Sequence, residues 1–197
     1  QFLQELAQLL TQEQWDAIGV DQWVYGKGLP MNCPFPASNR FFIVDEAVKM
    51  MLSTAPETPD AKEMCYAEFE TTKFWSTHEW LRYIRGLEAG GATVGHYALA
   101  DENYGFSGSP NPEIVAAWFS AILKTDYEGY DRAVYKKTVE EFLVKVGRRK
   151  FIVPMYESML NGDEKRQQWA REIYKKARPS YHPLSQGTLD ALFASNE

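Results

Sequence analysis

The chain has 197 residues, enough for one domain with a sizeable core and a shorter additional piece. Hydrophobic residues make up 45% and charged residues 24%, a composition that excludes a disordered, collagen-like or low-complexity protein. No apolar run approaches the ~18 residues that a membrane span needs, so we predict a soluble protein without a membrane partner.

Charge is unevenly distributed along the chain. The net charge is −6, yet 14 of the 21 basic side chains lie between residues 124 and 178, against 9 acidic ones in the same stretch. An acidic protein is a poor non-specific ligand for nucleic acid, and we predict no nucleic-acid partner. A local basic segment can still bind a smaller anion.

The N-terminus begins with Gln1, Phe2 and Leu3 as though in mid-helix, without an initiator Met, a basic region or a cleavage site. These residues do not form a signal peptide, and we expect a segment of a longer polypeptide, although a processed mature protein would begin similarly. Cys33 and Cys65 lie far apart and lack the spacing of a zinc or redox motif. The sequence leaves the compartment open.

Start signals mark several helices. Thr11 with Gln14 and Ser76 with Glu79 have the form of capping boxes. Asn111-Pro112-Glu113 combines an N-cap residue, a proline at the first helical position and an acid in the first turn. Apolar residues at helical spacing predict helices over residues 39–52, 61–70, 76–89, 93–104, 112–123, 130–146, 152–160, 164–177 and 184–193.

The sequence contains no convincing strand, so it predicts an all-α fold. Eight or nine helices with short loops form either an irregular helical bundle or antiparallel helix pairs stacked as an α-superhelix. No repeat of fixed period is visible, so periodicity does not choose between them. The extended connector of Gly28-Leu29-Pro30, Pro34 and Pro36 is the best candidate for a domain boundary.

Motifs for catalysis and metal binding are incomplete. His78-Glu79-Trp80-Leu81-Arg82 begins like the zinc-protease motif, but Arg82 stands where the second imidazole must lie one helical turn on. His96 and His182 are isolated, and the Gly105 to Ser109 loop lacks the second glycine of a nucleophile elbow. We therefore predict no catalytic residue, no metal ligand and no cofactor within this chain.

The segment Lys145-Val146-Gly147-Arg148-Arg149-Lys150-Phe151 concentrates four cations. Three of them follow the predicted end of the 130–146 helix, where Gly147 is expected to stop the helix in the left-handed conformation. The carbonyl groups of a helix C-terminus favour positive charge, so one interpretation is capping and solubility. The alternative is an anion site, because Arg grips a carboxylate bidentately and Lys adds a point charge.

Several motifs resemble the leukotriene A4 hydrolase family of zinc aminopeptidases. The segment from Trp23 to Pro30, WVYGKGLP, is similar to the W-L-Y-x-x-G-L-P that follows the family's catalytic domain. Further similar motifs, in the same order as in the family, are Ser76-Thr77-His78, Tyr104-Gly105-Phe106 with Asn111, Glu113, Ile114 and Trp118, Gly147-Arg148-Arg149-Lys150-Phe151 with Pro154, and Tyr174 with His182-Pro183. The resemblance covers nearly the whole chain.

The resemblance implies a two-layered, armadillo-like α-superhelix, with residues 1–27 as the tail of the preceding catalytic domain and 28–197 as a helical C-terminal domain. It also implies that Arg148 and Lys150 bind the carboxylate of a peptide or lipid substrate. Arg149 stands where the mammalian enzyme has Met, so no role is carried over to it. The family's zinc ligands are absent from this chain, which places zinc in the catalytic domain of the parent polypeptide.

These expectations combine into one interpretation with one rival. The first is an accessory domain of a zinc metalloaminopeptidase that closes the active-site cleft, binds the substrate carboxylate and is inactive alone. Its partners are then the catalytic domain of the same polypeptide and the peptide substrate. The rival is a non-catalytic helical-repeat scaffold that binds a protein partner.

Overall fold

The computed structural model describes residues 2–34, 38–56, 58, 72–125 and 132–196, apart from the side chains of 132–134. These residues contain helices and no strand, so the predicted all-α fold is confirmed. The helices are α1 Phe2–Leu9, α2 Gln12–Ile18, α3 Val20–Tyr25, α4 Asn39–Ser53, α5 Thr77–Ala89, α6 Val94–Tyr104, α7 Pro112–Ile122, α8 Arg132–Lys145, α9 Arg149–Leu160, α10 Glu164–Ala177 and α11 Pro183–Ala194. The helix predicted over 61–70 lies outside the described residues.

Residues 1–38 and 39–197 form two compact units. In the first, the predicted capping box is present, with Thr11 Oγ1 accepting from the Gln14 amide at 3.2 Å and Gln14 Oε1 accepting from the Thr11 amide at 2.9 Å. Trp23 and Tyr25 are 43% and 71% exposed. The domain boundary between residues 27 and 28 stays a prediction.

The second unit is built on aromatic side chains from successive helices. The Phe106 ring lies 5.1 Å from Trp80 of α5 and 4.6 Å from Trp118 of α7, and Trp118 in turn lies 5.3 Å from Tyr97 of α6. Helix α4 packs on α5, α5 on α7 and α7 on α9, which also contacts α10 and α11. Each helix therefore buries its apolar face on neighbours in a row, and α9 lies at the centre of the last group.

Helices α4 and α5 approach closely because α5 carries glycine in the contact. A Cβ atom placed on Gly86 would lie 2.8 Å from Val48 Cγ2 and 3.1 Å from Val48 Cγ1. Val48 is 8% exposed, and its β-branched side chain has one strongly preferred rotamer in a helix. A methyl group at residue 86 therefore requires the two helices to move apart.

We predict opposite effects of alanine at two helical glycines. Gly86→Ala should destabilise the chain by about 1 kcal/mol or more, since overpacking outweighs the better helix propensity of Ala. Gly187→Ala is the matched control in α11, where a Cβ would meet nothing within 4 Å. It should stabilise the chain by about 0.5–1 kcal/mol. Urea unfolding measures both, and a stabilising Gly86→Ala would contradict the close packing.

Two arginine–carboxylate pairs also join α4 to α5. Arg40 Nε and Nη2 both donate to the Glu79 carboxylate at 2.8 Å, and the Glu79 side chain is only 4% exposed. Glu79 also accepts from the Ser76 amide at 2.8 Å, as its place in the predicted capping box requires. Arg82 binds Asp45 in the same bidentate way, but both side chains are more than 40% exposed.

The hydrogen bonds from Arg40, with those from Ser76, lower the pKa of Glu79 from 4.5 to about 2 despite its burial. A carboxyl whose pKa is lower in the folded state stabilises the fold above its unfolded pKa. That contribution is lost as the pH falls from about 4.5 towards 2.

We predict that Glu79→Gln lowers the free energy of unfolding at pH 7 by about 1.5–3 kcal/mol, because charge-assisted hydrogen bonds to a buried carboxylate are lost. The exposed pair gives the control, and Asp45→Asn should cost less than about 1 kcal/mol. Denaturant unfolding at several pH values should show a shallower acid loss for Glu79→Gln than for the unmodified chain. If the free energy of unfolding fell equally with pH in both proteins, Glu79 would not be the cause of this pH dependence.

Candidate functional site

The basic segment begins a helix in the structure. Helix α8 ends at Lys145, and α9 runs from Arg149 with Arg148 as its N-cap. Arg148, Arg149 and Lys150 therefore follow the end of α8, as predicted, and also form the N-cap and first turn of α9. Their effect on the C-terminus of α8 stays a prediction. Positive charge at a helix N-terminus is unfavourable by ~0.3–1 kcal/mol per group, so the stability of α9 does not explain these residues.

Gly147 differs from its expected conformation. It is not among the glycines with positive φ, so the predicted left-handed stop is wrong. A Cβ on Gly147 would lie 3.3 Å from Tyr181 Cδ1, and the Gly147 carbonyl accepts from Ser185 Oγ at 3.1 Å. Glycine is favoured at residue 147 because the backbone lies close to Tyr181, and not because it needs a positive φ.

Buried contacts on both sides of the basic segment fix the start of α9. The Tyr181 hydroxyl donates to the Leu143 carbonyl near the end of α8 at 2.6 Å. It also lies 3.2 Å from the hydroxyl of Tyr156 on α9. Phe151 and Ile152, 5% and 0% exposed, anchor the first turns of α9 in the core. The exposed cations therefore project from a rigid base.

The two cations predicted to bind a carboxylate lie over one aromatic ring. Arg148 Cζ is 5.2 Å and Lys150 Nζ is 5.4 Å from the centre of the Phe151 ring. Both side chains are exposed. Arg149, which lies between them in sequence, instead has Nη1 3.5 Å from Thr188 Oγ1 on α11. The structure thus groups Arg148 with Lys150 and places Arg149 apart.

Glu113, in the first turn of α7, belongs to the same cluster. Its carboxylate accepts from Lys150 Nζ at 2.7 Å, and Lys150, with smaller contributions from Arg148 and His78, lowers the pKa of Glu113. Among the described residues, no carboxylate lies within ion-pair distance of Arg148. Arg148 therefore has its guanidinium edge available to an external anion, whereas Lys150 is shared with Glu113.

A groove of about 210 Å³ lies beside this cluster, between α5, α7 and α9. Its floor is formed by the small side chains of Ala116, Ala117 and Ser120 on α7. The walls are Leu81, Arg85 and Glu88 of α5, with Glu113 at one end, and Lys150, Phe151 and Pro154 of α9. The groove can hold a small polar group beside the basic cluster.

Two of the three histidines accept hydrogen bonds that cap helix N-termini. His96 is buried and accepts from the Thr93 amide at 3.1 Å, while its Nε2 lies 3.1 Å from the Thr54 carbonyl. His182 Nδ1 accepts from the Leu184 amide at 3.2 Å at the start of α11. In the part of the chain that the structure describes, no group of three or more His, Cys, Asp or Glu side chains is placed to hold a metal. The described residues offer zinc no ligand set.

Sequence reasoning missed Glu113 and Arg85 as members of the site. The sequence indicates only that Glu113 is a helix-start acid, which it also is, because its partner Lys150 lies 37 residues away. Arg85 follows Leu81 by four residues, so helical spacing alone places both on one face of α5.

The described helices include none long and apolar enough to cross a membrane.

Comparison with known proteins identifies the family. Residues 75–193 match the family model described as leukotriene A4 hydrolase, C-terminal. The chain is 27% identical over 188 residues to leucine aminopeptidase 2 of Emericella nidulans, covering 94% of this chain and 27% of that protein. It is 23% identical over 166 residues to aminopeptidase B of Mus musculus, covering 82% and 24%.

The fold is similar to that of native leukotriene A4 hydrolase from Saccharomyces cerevisiae. The TM-score is 0.70 at 19% sequence identity, covering 98% of this chain and 32% of the other. This chain spans about a quarter of the length of the curated relatives described above. Because the family model matches more than half of it, the chain belongs to the leukotriene A4 hydrolase C-terminal domain family.

Proposed function

We propose that this chain is the accessory C-terminal domain of a zinc metalloaminopeptidase and binds the free carboxylate of a peptide substrate. The position of Arg148 carries the proposal, since it is an exposed guanidinium without an ion-pair partner among the described residues. The aminopeptidase names of two relatives support the substrate class. Arg148 and Lys150 are the binding residues.

In this proposal the two cations have different roles. The planar guanidinium of Arg148 can donate two parallel hydrogen bonds to a carboxylate. Lys150 is a point charge already engaged by Glu113 at 2.7 Å, so it adds less to an incoming anion. The amide groups of the first turn of α9 add the positive end of the helix dipole. Arg148 is therefore the main receptor.

Carboxylate binding contributes to catalysis by orientation. Holding a remote end of the peptide positions the reacting amide, so that binding energy is expressed in the rate as well as in affinity. Zinc bound in such an enzyme would supply Lewis acidity for the carbonyl and for a water molecule. Its ligands belong to the preceding catalytic domain, which this chain would meet and whose cleft it would close. Exposed Trp23 and Tyr25 are candidates for that interface.

The rival function is a helical scaffold that grips a protein partner. A scaffold of stacked helices typically offers an extended concave surface. The exposed guanidinium of Arg148, near a groove of about 210 Å³, suits one carboxylate group. We therefore favour substrate binding.

We predict that Arg148→Ala in the parent enzyme lowers kcat/KM for a peptide with a free carboxylate by ~10- to 150-fold. The lost charge-assisted contact is worth roughly 1.5–3 kcal/mol. Arg148→Lys should recover only part of the rate, because an ammonium cannot reproduce the bidentate geometry. Lys150→Ala should cost less than Arg148→Ala, since Glu113 already binds Lys150.

An amidated substrate and a neighbouring arginine provide the controls. The unmodified enzyme should lose activity on the amide, and Arg148→Ala should lose little more. Arg149→Ala removes the same charge one residue away and should leave the preference for the free carboxylate unchanged. Equal losses of Arg148→Ala on both substrates would assign Arg148 to the fold rather than to the substrate.

A further inference from the structure

Arg85 on α5 is a second guanidinium at the groove. It lines both the groove described above and the adjoining depression that contains His78 and Arg82. Arg85 is exposed, and no carboxylate of the described residues lies within ion-pair distance of it. Arg82, one turn away, is instead held by Asp45. Arg82 therefore has an ion-pair partner, whereas Arg85 on the same helix has none among the described residues.

The acids of the groove do not balance Arg85. Glu88 is paired with Lys124 from the end of α7, and Glu113 is paired with Lys150. Each carboxylate in the lining has its own lysine, which leaves Arg85 as an uncompensated positive charge at the α5 wall. The floor between Arg85 and Lys150 carries only methyl groups and the Ser120 hydroxyl, so it contains no competing carboxylate.

We propose that Arg85 is a second carboxylate receptor and that this groove selects peptides whose C-terminal residue is Asp or Glu. The α-carboxylate binds at Arg148 and Lys150, as in the proposed function on which this inference rests. The acidic side chain crosses the alanine floor, which accommodates its methylene groups, and its carboxylate binds the guanidinium of Arg85. A guanidinium suits this because its planar fork matches a carboxylate.

Four short peptides separate the two receptors. They are acetyl-Ala-Glu and acetyl-Ala-Gln, each with a free or an amidated C-terminus, titrated into the 197-residue chain and followed by NMR. The arginine Nε–Hε signals report which guanidinium is contacted. The difference between Glu and Gln measures the side-chain receptor, and the difference between acid and amide measures the α-carboxylate receptor.

We expect the free acid ending in Glu to bind about fivefold more tightly than that ending in Gln, the size of a good exposed ion pair. Arg85→Gln should abolish this preference and leave the preference for acid over amide unchanged. Arg85→Lys should retain part of it. Arg149→Gln, which removes the same charge elsewhere on the basic surface, should leave both preferences intact.

Different outcomes would contradict the roles of Arg85 and Arg148. Equal affinities for Glu and Gln in the unmodified chain, or an equal loss in Arg149→Gln, would overturn the role of Arg85. A Glu peptide that gives no saturable shifts would overturn it as well. Equal affinities for acid and amide, with the Glu preference intact, would instead contradict the carboxylate role of Arg148.

Discussion

The buried face of α9 determines where the basic segment lies. Phe151, Ile152 and Tyr156 pack into the core against α7, α10 and α11, and this burial starts the helix at Arg149. Each buried apolar side chain contributes ~1.5–3 kcal/mol, more than the ~0.3–1 kcal/mol by which a cation at the N-terminus disfavours the helix. The packing therefore holds three cations where local electrostatics alone would not place them.

This arrangement makes the candidate site both rigid and accessible. The Phe151 ring is buried on one side and lies beneath Arg148 and Lys150 on the other, so the base of the site belongs to the core. The charged ends remain in water, which avoids the cost of burying unpaired charge. Glu113 neutralises Lys150 and leaves Arg148 and Arg85 unmatched among the described residues. The same helix contacts that stabilise the domain thus space the two guanidinium groups.

Local signals predicted much of the fold, and long-range contacts explain what they missed. Ser76 with Glu79 marked the start of α5 because a cap depends on residues three apart. The bond from Arg40 to Glu79 joins residues 39 apart, so no local pattern contains it. The sequence pattern starts this helix at residue 152 instead of 149, because the positive charges of residues 148–150 disfavour a helix N-terminus. Tertiary burial of Phe151 overrides that local preference, and contact with Tyr181 likewise explains Gly147.

A crystal structure of this chain with a short N-acetylated peptide that has a free C-terminus would show directly whether Arg148 is the carboxylate receptor. We expect both carboxylate oxygens within ~3 Å of guanidinium nitrogens of Arg148, above the first turn of α9. Lys150 should remain in contact with Glu113. A carboxylate bound away from Arg148, or a basic segment that continues α8 instead of beginning α9, would contradict this arrangement.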